Sequence, residues 1–154
     1  MSKWFRKVSN DIRELPACIT YFENEMADAR RCLGLKGMSL EKQAADLAGI
    51  VEQRYGQLQE LEAILEFLNI ELKKTKSRRF KHYFEGYQKA LSSRDASAYA
   101  DGDKQVVDAH MLVNEFALLR NTFLGITKGF EVKNWMIGHV IRLRVAGLDD
   151  AQIM

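Results

Sequence analysis

LQELEAILEFLNIEL, residues Leu58 to Leu72, carries leucines at positions 58, 61, 65, 68 and 72, at spacings of three, four, three and four. A helix with 3.6 residues per turn gathers those positions into one stripe, whereas a strand would divide them between two faces. Glu60, Glu62, Glu66 and Glu71 fall between the leucines, so the stripe is apolar and its surroundings are acidic. A seam of this period is buried by packing against another helix.

The chain on either side also reads as helical. Lys3 to about Glu14 forms a short helix stopped by Pro16, and a second helix runs from about Pro16 to Cys32, since proline is comfortable in a first helical turn. GLKGMS, Gly34 to Ser39, is a turn, with Ser39 as N-cap and Glu41 favourably placed in the next helix. From Leu40 to about Ser92 there is no proline and little turn chemistry, which predicts one long central helix. Unbroken, it would span about 80 Å at 1.5 Å per residue. A break is therefore expected near Gly49, Gly56 or Gly86, unless other subunits support it. Phe80, Phe84, Tyr87 and Leu91 continue an apolar stripe, with Phe80 and Phe84 assigned to the core.

SSRDASAYADGD, Ser92 to Asp103, reads as a second turn-rich stretch. A helix from about Lys104 to Thr127 then presents Leu112, Phe116, Leu119, Phe123 and Ile126, and Gly129 ends it. A last helix from about Glu131 to Ala146 sets Val132, Met136, His139, Val140 and Leu143 on one face, with Gly147 at its C′ position. The expected fold class is all-α: a helical bundle with one long central helix. Residues 1–38 make an N-terminal hairpin-like helical segment. Residues 39–154 hold the long helix and two C-terminal helices, the whole forming a single domain.

The 154 residues carry no signature of catalysis. Neither a GxxxxGK[ST] loop nor a GxGxxG turn occurs. Aligning Gly102 with the invariant glycine of a calcium loop places Ser97 and Tyr99 where acidic ligands belong, which rejects that motif. His82, His110 and His139 have no metal-ligand spacing, and His110 and His139 are expected in the core or an interface. No Ser or Cys sits in a nucleophile motif. Cys18 and Cys32 read as reduced, partly buried thiols rather than a zinc site or a disulfide framework. No apolar run approaches the ~18 residues of a membrane span, and MSKWFRKVSN lacks the apolar stretch of a signal peptide. The expectation is a non-enzymatic cytoplasmic protein without a cofactor, bound metal or membrane association. Trp4 and Phe5 are expected to pack on the bundle.

Charge is unevenly placed. Residues 40–72 hold two cations and seven anions, and residues 73–92 hold seven cations and one anion. KKTKSRRFKHYF, Lys73 to Phe84, has six Lys and Arg residues in twelve positions and no acid. Such asymmetry suits a polyanionic partner or head-to-tail contact between copies of the chain. With Lys73 at 0° and 100° per residue, Lys81, Lys74 and Arg78 fall near 80°, 100° and 140°. Lys73 and Lys76 fall at about 0° and 300°, in line with the aromatics. A solvated face explains the first three and explains Lys73 and Lys76 less well. Phosphates suit Lys as point charges and Arg as forks, and neighbouring aromatics can stack bases. Nucleic-acid surface and solvated or subunit-facing surface stand side by side as readings.

The order of parts is similar to that of UvsY-like bacteriophage recombination mediators. An acidic long helix leads into a K-x-R stretch with aromatics, then a turn-rich insert and C-terminal helices joined by Gly-Phe. In that family a K-A-R-L-D-Y-Y-like segment carries single-stranded DNA binding. The matching residues here are Lys76 and Arg78, with Tyr83 and Phe84 at a longer spacing. ADGDKQVVD, Ala100 to Asp108, resembles the family's helix start, and KGFEVKNW, Lys128 to Trp135, resembles its R-G-F-x-I-K turn. The resemblance covers about residues 65–146 and not the N-terminal part. Arg79 stands where the family has an apolar residue, and Lys81–His82 are additional.

The resemblance implies a ring-shaped homo-oligomer, heptameric in one version, that binds single-stranded DNA. It would loosen the single-strand DNA-binding protein and help a RecA-like recombinase load, in the host cytoplasm if phage-encoded. On that reading Lys73, Lys74, Lys76, Arg78, Arg79 and Lys81 would hold phosphates, and Tyr83 or Tyr87 would stack bases. The alternative is a helical structural or adaptor protein of a phage, oligomerising through its apolar seams.

Overall fold

A computed structural model describes residues 3–87 and 89–147. Residues 1–2 and 148–154, the outer ends of the two expected segments, lie outside the described residues, as does Gln88 within the expected long helix. Among the described residues there are five α-helices and no strand: α1 (Lys3–Asn10), α2 (Leu15–Leu33), α3 (Leu40–Gly86), α4 (Ser93–Gly102) and α5 (Lys104–Val145). A 3-10 turn at Ile12–Glu14 joins α1 to α2. None of these helices is long and apolar enough to cross a membrane.

The long helix α3 runs unbroken through Gly49 and Gly56 and stops at Gly86, about 70 Å of helix. Ser39 caps it, its Oγ accepting from Lys42 N at 3.3 Å. Leu58, Leu61, Leu65 and Leu68 are buried, as the seam requires. Their partner is α5, which lies antiparallel. Arg120 meets Glu62 at 3.9 Å, Leu72 lies near Val106 and Met111, and Val51 and Tyr55 lie near Phe130 and Asn134.

Gly129 does not end a helix. One continuous α5 replaces the two expected helices, and its buried positions read Phe116, Leu119, Phe123, Ile126, Phe130, Lys133, Ile137 and Val140. The three-four alternation passes through the glycine without a change of phase. A helical glycine costs about 1 kcal/mol against alanine, but here a Cβ would lie 3.0 Å from Leu33 Cδ2. Gly129 is therefore where the end of α2 approaches α5. The expected face of Val132, Met136, His139 and Leu143 is instead exposed, and only Val140 of that set is buried. His110 is also exposed, so neither His110 nor His139 is a core residue. The displaced phase follows from Lys133, a charged residue at a seam position.

Lys133 is buried and donates to Cys32 O at 2.5 Å and Gly34 O at 3.1 Å. Those carbonyls lie at the C-terminal end of α2, where helical partners run out and a cation is favoured. Burial pushes the Lys133 ammonium below the usual lysine pKa, with partial compensation from Cys32. A second polar tie links α2 to α3: Arg54 donates to Glu25 at 2.5 Å and to Gln57 at 2.9 Å.

The N-terminal helices cover the middle of this pair. Phe22 meets Phe123 edge-on at 6.3 Å, and Leu15, Cys18, Met26 and Ala29 join the core. Cys18 and Cys32 are free thiols, and burial pushes Cys18 up to about 12, with Glu60 adding to the shift. Helix α1 stops at Asn10 rather than continuing to Glu14, because Asp11 turns the chain by accepting from Arg13 N. Glu60 accepts from the amides of Trp4 and Phe5 at 2.6 and 3.0 Å, which fixes α1 on α3. Both aromatic side chains pack against the core.

Candidate nucleic-acid interface

Past Leu72 the seam of α3 continues in space but changes chemistry. Lys76, Arg79, Tyr83 and Tyr87 now face the neighbouring elements. Their counterpart is α4, in the stretch expected to be a turn. Ser92 caps α4 by accepting from Asp95 N at 3.1 Å, and Ala96 and Ala100 are its buried face. Its small residues allow close approach to α3, which leaves the polar end of α4 opposite the basic residues.

Asp103 closes α4 and opens α5. Its Oδ1 accepts from Gln105 N at 2.9 Å, capping the first turn of α5. Its Oδ2 accepts from Arg79 Nε and from the Tyr83 hydroxyl, both at 2.8 Å. The side chain is only 8% exposed. The Tyr83 hydroxyl, then the Gln105 amide and Arg79, hold its carboxyl below the ordinary aspartate pKa, against the opposing effect of desolvation. The Arg79 guanidinium also lies over the Tyr83 ring, 5.4 Å from its centroid. Nearby, Lys76 pairs with Asp101 at 2.7 Å.

Tyr99 of α4 packs against both candidate stacking residues, whose own rings lie 6.3 Å apart. Its ring lies 5.6 Å from Tyr83 and 5.7 Å from Tyr87, at interplanar angles of 27° and 28°. Tyr87 is 50% exposed and Tyr99 48% exposed, so the ring stack has an open side. Phe80 and Phe84 stack on each other at 5.6 Å and 11°. Phe84 is exposed rather than part of the core.

The remaining cations are differently placed. Lys74 pairs with Glu71 at 2.7 Å and Lys81 with Glu85 at 3.9 Å, both exposed pairs on the same helix. Arg78 reaches Gln105 Oε1 at 3.3 Å. Lys73 has no carboxylate partner among the described residues. Exposed pairs of this kind are worth about 0–1 kcal/mol, so a phosphate competes for these cations at little cost. The sequence candidates therefore divide. Arg79 and Tyr83 are tied to Asp103, and Lys76 is shared with Asp101. Lys73, Lys74, Arg78 and Lys81 are exposed, and Tyr87 is half exposed beside Tyr99.

Tyr99, Asp101 and Asp103 were not among the sequence candidates. Asp103 before KQVV has the form of an N-cap signature, which the sequence displays. Tyr99 has no sequence signal, because its role exists only once α4 folds against α3. Among the described residues no group of His, Cys, Asp and Glu could hold a metal ion.

The geometry defines an all-α protein built on two long antiparallel helices with a basic, tyrosine-lined end. This fold is UvsY-like. The crystal structure of the recombination mediator protein UvsY from bacteriophage T4 matches it with a TM-score of 0.70, at 13% sequence identity, over 82% of this chain and 98% of that one. No protein-family model and no curated protein sequence matches the chain.

Proposed function

We propose that this chain is a UvsY-like recombination mediator: a non-catalytic protein that binds single-stranded DNA and helps a RecA-like recombinase load where single-strand DNA-binding protein sits. Lys73, Lys74, Arg78 and Lys81 hold the phosphates, and Tyr87 with Tyr99 offers ring faces to bases. The observation that carries this reading is the outward set of cations on a fold shared with a recombination mediator. At 100° per residue, Lys81, Lys74 and Arg78 lie at about 80–140°, while Arg79, Tyr83 and Lys76 lie at about 240–300°. The carboxylates of α4 thus take up one side of the girdle and leave the other side to a ligand.

The protein works as a ring-like homo-oligomer in the host cytoplasm. Val132, Trp135 and Met136 form an exposed apolar patch on α5, with Trp135 69% exposed. Patches of this kind mark protein contacts, and a ring adds weak DNA contacts through effective concentration.

Fluorescence anisotropy with single- and double-stranded oligonucleotides across a salt series tests the reading. Preferential single-strand binding is expected, with log K falling against log salt at a slope near −2 per subunit if about three phosphates engage. The competing reading is a structural or adaptor protein, favoured by the internal pairing of Lys76 and Arg79. It predicts weak or no oligonucleotide binding and an oligomer that dissociates with salt, which sedimentation at low and high salt, with and without an oligonucleotide, distinguishes.

A further inference from the structure

Beside the Lys76–Asp101 pair, a groove of about 600 Å³ opens between α3 and α5. Leu72, Val106, Val107 and Met111 give it apolar walls, and His110 and Asn114 bring polar groups from α5. Val107 and Met111 are exposed although apolar. Of its cations, Lys76 is matched by Asp101, while Lys73 has no carboxylate partner among the described residues. The lining thus has one positive charge left over.

We propose that this groove seats one unstacked nucleobase of a bound single strand, with the adjoining phosphate on Lys73. The inference rests on the reading of α3 as a single-strand surface and adds a base-binding subsite to it. The volume falls within the ~300–1,000 Å³ of small-ligand sites, which suits a nucleotide. Aliphatic walls accept the two faces of a planar ring, and a methionine sulfur makes favourable contact with aromatic systems. Asn114 has both a donor and an acceptor, and His110 a second pair, which is what the edge of a base requires. The unmatched Lys73 ammonium complements one phosphate. Lys73 itself lines the groove, so a strand held at Lys73 passes its mouth.

The test compares a fluorescein-labelled oligo-dT with an abasic oligonucleotide of the same length, which keeps the phosphates and removes the bases. Wild-type protein is expected to bind oligo-dT about tenfold more tightly than the abasic strand, the size of one good base contact. In the variant Val107→Thr with Met111→Gln, both exposed positions, that ratio should fall at least about threefold. Affinity for the abasic strand and the thermal melt should not change. An undiminished ratio in the variant overturns the groove and leaves the single-strand reading intact. Failure of wild-type protein to bind either oligonucleotide overturns both. Tighter binding of an acidic peptide than of oligo-dT, lost in the same variant, assigns the groove to a protein partner and overturns the proposal.

Discussion

Arg79 of α3 donates its Nε to Asp103 Oδ2 across 24 residues of sequence, at 2.8 Å, and Asp103 is the residue that caps α5. One carboxylate thus ends α4, starts α5 and ties both to the basic helix. A cation at the centre of the most basic stretch has a structural role, whereas the neighbouring Lys74, Arg78 and Lys81 are exposed.

Replacing Asp103 with Asn should lower Tm by several degrees at pH 7, since the cap weakens and Arg79 and Tyr83 lose their anionic partner. The folded-state pKa of Asp103 is depressed. Its contribution is therefore present above the ordinary aspartate value of about 3.9 and is lost as pH falls through the lower folded value. The gap in Tm between wild type and Asp103→Asn should accordingly close on the acid side, as followed by circular dichroism melts from pH 7 downward.

Lys133 has the opposite dependence. Burial lowers its folded pKa, so the unfolded chain holds the proton more tightly. Stability then rises with pH through the folded value and levels off near the ordinary lysine value of about 10.4. Urea unfolding at alkaline pH rising toward the ordinary lysine value should show this rise in wild type and not in Lys133→Met. Lys133→Ala, which leaves the Cys32 and Gly34 carbonyls without their donor, should cost about 2 kcal/mol at neutral pH.

Gly129→Leu should destabilise the protein by about 1–3 kcal/mol, the usual cost of overpacking. The new side chain meets Leu33, which must move from the interface of α2 with α5. A stability equal to wild type by urea unfolding would contradict the close approach of those helices.

Removing outward and latched cations should have different consequences. Lys73→Ala with Arg78→Ala is expected to flatten the salt dependence of single-strand binding by about 1.4 in slope, at 0.7 per phosphate, without changing the melt. Arg79→Ala should lower Tm, because it leaves Asp103 without its guanidinium partner. A parallel loss of slope in both variants, with equal melts, would show that the girdle is not divided between two roles.

The long helical seams were legible in the chain, although the local caps at Asp11, Ser92 and Asp103 were not anticipated. The leucines at 58 to 72 and the seam from Phe116 to Ile126 define helices that pack, because side chains three and four apart share a face wherever the helix lies. The Ser39 cap and Gly147, at φ +74°, were legible for the same reason: each acts within one turn of its own position. The basic girdle was also plain in the composition.

Only the tertiary structure decided the rest, because the deciding partners are far apart in sequence. Gly129 permits either a stop or a passage, and the approach of Leu33 together with the Lys133 tie to α2 makes it a passage. Tyr99 became part of a ring stack, and Asp103 the anchor of Arg79, only when α4 folded onto α3. Helical period states which residues share a face. What occupies that face depends on the carboxylates and rings that arrive from other elements, and among the described residues that division left Lys73 without a carboxylate and Arg79 held by one.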